Sequence, residues 1–227
     1  GIVLGMPKAK AATYKSGADL KGLKIGVTAP GSSTNMFVDI LLARAGLPPD
    51  AAAYVGVGAG SGAVAIMKRG EIDAISNLDP VISLLEADGT LVPVVDTRTA
   101  KGNAEIYGNA YAAGCIYAPV DFARKYPRTA QAVVNAMVHA LRFIQTSTPD
   151  QIVDAVPKEF YTDRAAYRAS LEKNLDAFKH DGSISLEAGQ NVARVLTTFD
   201  PGLKGFKVDV AKTVDMSFQQ KAAQKYP

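Results

Sequence analysis

The fold is decided by residues 24–46, which read KIGVTAPGSSTNMFVDILLARAG. The first five residues form an apolar run typical of a short buried strand, and turn-forming residues follow it directly. Apolar residues then recur at helical spacing at Met36, Phe37, Ile40 and Leu41. The helix is expected to end at Gly46. The stretch therefore predicts a strand, a tight turn and a helix in that order.

The same order of elements recurs through the first half of the chain. Further strands are predicted at residues 53–57, 72–76 and 91–95, with helical segments between them. Strands that alternate with helices in this way predict a mostly parallel sheet covered on both faces. Residues 1–5, GIVLG, also read as a core strand, and they begin without an initiator Met or a signal peptide. We therefore expect that an N-terminal portion is missing.

The second half of the chain is predicted to be mainly helical. Residues 97–109 lose their periodicity and read as a loop, and residues 111–117 are predicted to form one further strand. Apolar residues at helical spacing then predict a helix over residues 128–145, and Thr148 opens a capping-box start for the next one.

Composition narrows the class of protein. Of the 227 residues, 48% are hydrophobic and 21% are charged, which is an ordinary globular balance. No apolar run approaches the roughly 18 residues that a membrane-spanning helix needs. The formal net charge is +3 with the basic residues scattered along the chain, so no nucleic-acid partner is predicted.

Patterns for catalysis or metal binding are scarce. The one cysteine, Cys115, lies in the apolar run AAGCIYA and is expected to be a small buried residue. The two histidines, His139 and His180, are expected on the surface. Without a histidine pair or a cysteine cluster, the sequence predicts no metal site, no cofactor and no enzymatic activity.

The first candidate binding site is the turn at residues 30–35. The N–H groups at a helix start lack partners and the helix dipole is positive there, so the turn favours an anion. Ser32, Ser33 and Thr34 add hydroxyl donors. In the alternative interpretation, Ser33 is only the N-cap of the helix and Gly31 only a turn residue.

Two more turns follow predicted strands. Residues 58–63, GAGSGA, match the G-x-G-x-x-A pattern of dinucleotide-binding enzymes, although such a segment can also be a simple flexible turn. The third turn is Asn77-Leu78-Asp79-Pro80, where open parallel sheets place their ligands. Asp79 is a candidate to bind a ligand amine, or alternatively caps the helix that begins at Pro80.

Four segments together resemble the nitrate/sulfonate/taurine type of periplasmic substrate-binding protein. They are DLKGLKIGVTAPGSSTNMF (residues 19–37), GAVAIMKRGEIDAISNLDP (62–80), AAGCIYAP (112–119) and KYPRTAQAVVNAMVHAL (125–141). The resemblance spans nearly the whole chain and implies a periplasmic-binding-protein-like α/β fold, with two α/β lobes joined by hinge strands. It also implies that the N-terminal part of lobe one is missing.

Under this resemblance the expected domains are residues 1–7 as a crossing strand, 8–109 as lobe two, and 110–227 as the returning part of lobe one. The expected ligand-binding residues are Ser32, Ser33, Thr34, Asn77, Asp79, Asn109 and Tyr111.

The function implied is that of a solute receptor of an ABC importer. Such a receptor captures a small anionic or zwitterionic nitrogen or sulfur compound in an interlobe cleft and delivers it, as a periplasmic monomer, to a membrane permease. Two alternatives stay open: a Rossmann-type nucleotide-binding enzyme that uses residues 58–62, and the ligand-sensing domain of a transcription regulator.

Overall fold

The structure is a computed structural model that describes residues 1–108, 111–161, 163–178 and 181–226. The chain divides into two compact units. Unit 1 consists of Gly1–Ile106 and Asp163–Asn174, and unit 2 of Tyr107–Thr162 and Leu175–Pro227. Their assignment to the lobes of a receptor stays a prediction.

Unit 1 is built on a five-stranded sheet. In chain order the strands are β1 (Val3–Met6), β2 (Lys24–Val27), β3 (Ala53–Gly56), β4 (Ala74–Asn77) and β5 (Val92–Asp96). They lie in the order β3-β2-β4-β1-β5, with β2 parallel to β3 and β4, and β1 antiparallel to β4 and β5. Every strand predicted in this half is present, and the α/β fold class is confirmed.

Helices flank the sheet and form most of unit 2. In chain order they are α1 (Lys8–Ala11), α2 (Ser33–Arg44), α3 (Ser61–Lys68), α4 (Val81–Ala87), α5 (Ala100–Tyr107), α6 (Phe122–Lys125), α7 (Pro127–Thr146), α8 (Pro149–Ala155), α9 (Arg164–Asn174), α10 (Leu186–Phe199), α11 (Val210–Thr213) and α12 (Ser217–Lys225). Single 3₁₀ turns lie at Gly17–Leu20, Pro49–Ala51, Lys158–Phe160, Leu175–Ala177 and Pro201–Leu203. Helix α9 belongs to unit 1 although it lies far along the chain, and it packs against α4.

The core of unit 1 explains why the first half folds as its pattern predicts. Strands β1 and β4 are buried along their whole length, as expected for strands covered on both faces. Ile25 of β2 and Phe37 of α2 are both fully buried. The strand and the helix within residues 24–46 are thus each anchored in the core by an apolar residue.

The two edges of the parallel strands differ in their chemistry. At the amino edge, the N–H of Lys24 donates to Oδ2 of Asp73 at 2.8 Å, and Asp73 also pairs with Lys10. At the carboxyl edge, the turns after β2, β3 and β4 meet. Val3 lies opposite both Asn77 and Asp96, so the start of β1 and the end of β5 share this edge.

Three predictions for the middle of the chain are wrong. Residues 97–109 were expected to form a loop, but α5 occupies Ala100–Tyr107. Residues 111–117 were expected to form a strand, yet they have no regular secondary structure, and Tyr117 is 90% exposed. A strand needs a neighbour for its backbone hydrogen bonds, and the described residues of unit 2 contain no other strand. Cys115, expected to be buried, lies exposed in this segment.

Candidate functional site

The turn after β2 is held by three hydroxyl groups. Oγ1 of Thr28 donates to Oγ of Ser32 at 3.0 Å, and Oγ1 of Thr34 lies 2.8 Å from Ser32 Oγ and 2.9 Å from Thr28 Oγ1. A hydroxyl carries one proton, so a ring of three contacts uses all three protons. Ser32, and not Ser33, is the N-cap of α2, because its Oγ accepts from the N–H of Asn35. The hydroxyls of Ser32 and Thr34 therefore stabilise the turn itself.

Ser33 differs from its two neighbours. Its side chain is exposed, whereas Thr34 is fully buried. The N–H groups of Ser33 and Thr34 have no hydrogen-bond acceptor among the described residues. These groups form the positive end of a 12-residue helix, and at the exposed Ser33 the N–H lies next to a hydroxyl whose proton is free to point outward. This part of the turn suits an anionic oxygen.

The turn after β3 adds a second set of donors beside the first. The N–H of Gly58 donates to the carbonyl of Thr28 at 3.1 Å, which places residues 58–62 next to the turn after β2. The N–H groups of residues 59–62 have no acceptor within the part of the chain that the structure describes, and no side chain caps α3. The starts of α2 and α3 therefore both present unpaired N–H groups at the carboxyl edge.

Asn77 holds this arrangement together. Its side chain is fully buried, its Nδ2 donates to the carbonyl of Gly58 at 2.9 Å, and its Oδ1 accepts from the N–H of Leu78 at 2.8 Å. The amide thus joins the end of β4 to the turn after β3. Since both ends of this amide are occupied, the geometry supports a structural role for Asn77 and not the predicted ligand contact.

Asp79 lies in a cluster of charges around Arg98, a residue that the sequence analysis missed. The guanidinium of Arg98 is 4% exposed and contacts Asp79 at 3.4 Å, Glu86 at 2.9 Å and Asp96 at 2.6 Å. Burial lowers the pKa of Arg98, but the hydrogen bonds to Asp96 and Glu86 outweigh it, and the pKa is raised. No pattern singles out Arg98, because its partners come from three different elements.

The remaining contacts of Asp79 tie it to α4 and α9. Its Oδ1 accepts from the N–H of Ser83 at 2.9 Å, and its Oδ2 accepts from Nδ2 of Asn174 at 2.6 Å. Lys173 pairs with Glu86 at 2.8 Å in the same cluster. Asp79 therefore binds the first turn of α4, although the helix begins at Val81 and its N-cap is Pro80, not Asp79 as the capping alternative predicted. A ligand amine would have to displace Arg98 or Asn174, so the geometry gives the amine hypothesis no support.

The two remaining predicted contacts are Asn109 and Tyr111. Asn109 lies outside the described residues. Tyr111 lies in unit 2, where its ring stacks on that of Tyr107 with centroids 4.1 Å apart. Burial raises the pKa of Tyr111.

The described residues show few other features of a metal-binding or membrane-spanning protein. They hold no group of three or more His, Cys, Asp or Glu side chains that could bind a metal ion. None of the helices within those ranges has the length and apolar character needed to cross a bilayer. His139 is exposed and stacks on Tyr226 with ring centroids 4.8 Å apart.

Comparison with solved structures identifies the class of fold. The periplasmic aliphatic sulphonate binding protein SsuA from Escherichia coli aligns with a TM-score of 0.68 at 18% identity, covering 96% of this chain and 70% of SsuA. A ligand-binding component of an ABC-type import system from Staphylococcus aureus aligns at 0.70 and 15% identity, covering 98% of this chain and 70% of its own. The desulfurization enzyme DszB is more distant, at 0.56 and 16% identity, covering 100% of this chain and 76% of DszB. The fold is that of periplasmic solute-binding proteins.

The chain belongs to the NMT1-like family, whose family model matches residues 3–156. It is 45% identical to a Bordetella bronchiseptica RB50 protein of solved structure, with a TM-score of 0.91, and it covers 71% of that protein's chain. The alignment includes 100% of the present chain. A search of curated proteins gives no match.

Proposed function

We propose that this protein is the solute-binding receptor of an ABC importer and holds the anionic group of a small compound at the carboxyl edge of unit 1. The observation that carries the proposal is the pair of adjacent turns after β2 and β3. Their exposed and unpaired N–H groups, at Ser33 and residues 59–62, lie at the starts of two helices. The fold shared with sulfonate-binding SsuA supports the same class of solute.

The donors at this edge suit an oxyanion such as a sulfonate. A sulfonate group is ionised at neutral pH and has three acceptor oxygens, which suits several unpaired N–H groups and the nearby serine hydroxyls. The buried cation nearby, Arg98, is held by Asp79, Glu86 and Asp96 and cannot serve a ligand without leaving them. The anion would therefore be held by backbone dipoles and the Ser33 hydroxyl.

A zwitterionic solute would need a partner for its ammonium group from elsewhere. Within unit 1, the carboxylates of Asp79 and Asp96 at this edge are both engaged by Arg98. We therefore assign to this edge only the anionic end of the solute. It forms one wall of the binding site.

The dinucleotide-binding alternative is less well supported. In that interpretation residues 58–63 bind a pyrophosphate, and Asp79 binds the ribose. The carboxylate of Asp79 is occupied by Ser83, Asn174 and Arg98 and is only 8% exposed. The solute receptor uses the same turn without requiring a free carboxylate at position 79.

The proposal also defines partners and location. A receptor of this kind acts as a monomer in the periplasm and hands its solute to a membrane permease. It performs no chemical conversion, so incubation with a bound solute is expected to return the solute unchanged. A stoichiometric excess of converted product, detected by mass spectrometry, would instead indicate an enzyme.

The binding site is tested by comparing Ser33→Ala with Ser32→Ala. Calorimetric titration with ethanesulfonate, taurine, nitrate and NAD would first identify which compound binds. Loss of a hydrogen bond to a charged group costs about 1.5–3 kcal/mol, so Ser33→Ala should weaken affinity for the bound anion about 10- to 100-fold. Its unfolding free energy should not change, because the exposed Oγ of Ser33 has no hydrogen-bond partner among the described residues.

Ser32→Ala is the matched control for this experiment. It removes the N-cap of α2 and should cost about 1 kcal/mol of stability. Unchanged affinity in Ser33→Ala, for an anion that the wild-type protein binds, would move the solute away from this turn. Binding of NAD but of no small anion would favour the nucleotide-binding alternative.

A further inference from the structure

A relay of side-chain hydrogen bonds runs from β3 to the turn after β2. The hydroxyl of Tyr54 donates to Oδ1 of Asp39 at 2.5 Å, and Oδ2 of Asp39 accepts from Nδ2 of Asn35 at 3.2 Å. Oδ1 of Asn35 in turn accepts from the N–H of Gly31 at 2.9 Å. The relay thus connects β3 to two successive turns of α2, and through them to Gly31, the residue before the N-cap.

Each member of the relay fixes the next. An asparagine amide can sit in two orientations that exchange its oxygen and its NH₂ group. A carboxylate only accepts hydrogen bonds, so Asp39 requires the NH₂ group of Asn35 and leaves its oxygen for Gly31. Tyr54 holds the carboxylate of Asp39 from β3. The opposite orientation of Asn35 would place an oxygen against the carboxylate and an N–H against the N–H of Gly31.

The residue at the end of the relay has a constrained backbone. Gly31 has φ +78°, a left-handed conformation that residues other than glycine rarely adopt. Its N–H is consumed by Asn35, while the N–H groups of Ser33 and Thr34 remain unpaired among the described residues. The relay therefore uses the N–H of Gly31 to stabilise the turn and leaves the N–H of Ser33 for a ligand.

We propose that Asn35, Asp39 and Tyr54 are positioning residues for the solute site, because they hold the turn at Gly31 in the geometry that directs the N–H group of the exposed Ser33 to an anion. The inference rests on the proposed function. None of the three residues needs to touch the solute. Their contribution reaches it through Gly31.

The test measures two properties of Asp39→Asn and Tyr54→Phe. Calorimetry gives the affinity for ethanesulfonate, and amide hydrogen exchange by NMR reports the hydrogen bond of Gly31 without any ligand. Both variants should bind ethanesulfonate about tenfold more weakly, equivalent to about 1.4 kcal/mol, and should exchange the Gly31 amide faster. Both should remain folded, because the core residues of unit 1 are untouched.

Two further variants separate positioning from general destabilisation. Asp73→Asn makes the same chemical change at the amino edge of the sheet, where Asp73 binds Lys10 and the N–H of Lys24. It should change neither the affinity nor the exchange of Gly31. The double variant Asn35→Asp with Asp39→Asn exchanges the carboxylate and the amide while keeping every hydrogen bond, so it should restore slow exchange at Gly31.

The outcomes distinguish this inference from the proposed function. If the wild-type protein does not bind ethanesulfonate or another small anion, the proposed function fails, and the solute role of the relay fails with it. If the wild-type protein binds and the affinity is unchanged in Asp39→Asn and Tyr54→Phe, the relay alone is overturned. An equal loss of affinity in Asp73→Asn would likewise overturn the positioning role.

Discussion

Removing the guanidinium of Arg98 is expected to destabilise unit 1 severely. In Arg98→Met the side-chain volume is roughly kept, but Asp79, Glu86 and Asp96 lose their shared cation. The side chains of Asp79 and Glu86 are 8% and 18% exposed, so water can compensate little. Breaking a buried ion pair by removing one partner costs about 3–5 kcal/mol, and we expect a loss in that range at pH 7.

The pH dependence of this loss follows from the carboxylate of Asp96. Burial raises the pKa of Asp96, but its hydrogen bonds from the side chain and backbone N–H of Arg98 outweigh this effect, and the pKa is lowered. A lowered pKa contributes stability above the unfolded-state pKa, near 4, and that stability disappears as the pH falls through the folded-state value. In Arg98→Met the backbone hydrogen bond to Asp96 remains, but the hydrogen bonds and the charge of the guanidinium are lost, so the variant should lie closer to wild type in acid than at pH 7.

Urea denaturation at a series of pH values measures this difference. The matched control is Arg69→Met, whose guanidinium pairs with Glu71 on an exposed surface and whose loss should change stability little. A cost below about 1 kcal/mol at pH 7, or a cost independent of pH between 3 and 7, would refute the ion-pair argument for the cluster.

Three further predictions concern other parts of the fold. Gly31→Ala should lose about 1–2 kcal/mol of stability because its backbone is left-handed; a neutral result in urea denaturation would mean that the turn adapts. Thr148→Ala should lose about 1 kcal/mol because it breaks the capping box with Gln151, and Thr148→Ser should retain that stability if the cap matters. Burial, helped by the charge of Asp19, raises the pKa of Tyr14 to about 12. The absorbance difference between wild type and Tyr14→Phe should therefore titrate near pH 12, and a midpoint near 10 would contradict the burial.

The first half of the chain could be predicted from sequence because its determinants are local. Residues 24–46 contain the strand, the turn and the helix with its terminating glycine, and β2 and α2 are present in the structure. The hydrophobic pattern also predicts β1 from five residues, since a strand buried on both faces reads as a continuous apolar run. In such segments, the apolar residues that form the sequence pattern are the same residues that the fold buries.

The failures occur where burial depends on what lies beside the segment. Residues 111–117 have a strand-like composition, but composition does not supply a partner strand, and Cys115 is exposed within that segment. Residues 100–107 have weak helical periodicity because Tyr107 is the only buried position in α5. A helix stabilised at so few positions leaves little hydrophobic pattern in the sequence.

The candidate site was predicted at the level of the turn but not of the individual atom. Sequence shows that Ser32, Ser33 and Thr34 carry hydroxyl groups at a helix start, and all three were therefore candidates. A hydroxyl can donate to a ligand only if its single proton is not already used in a hydrogen bond within the protein. Thr28, six residues before Thr34, completes a ring that consumes the protons of Ser32 and Thr34.

The same argument applies to the charged residues of the edge. Asp79 follows a strand and precedes a helix, as a ligand-binding acid would, but its availability is decided by Arg98 and Asn174, which lie 19 and 95 residues away along the chain. Residue type and position can nominate a donor or an acceptor, whereas only the fold shows which ones are already paired. At this edge, the carboxylates of Asp79 and Asp96 are already paired with the guanidinium of Arg98. A ligand could use one of these charges only by replacing its present partner. Among the described residues of this edge, what remains is backbone N–H groups and the hydroxyls of Ser33 and Ser61, which is why the protein's preference is expected to be for an anion.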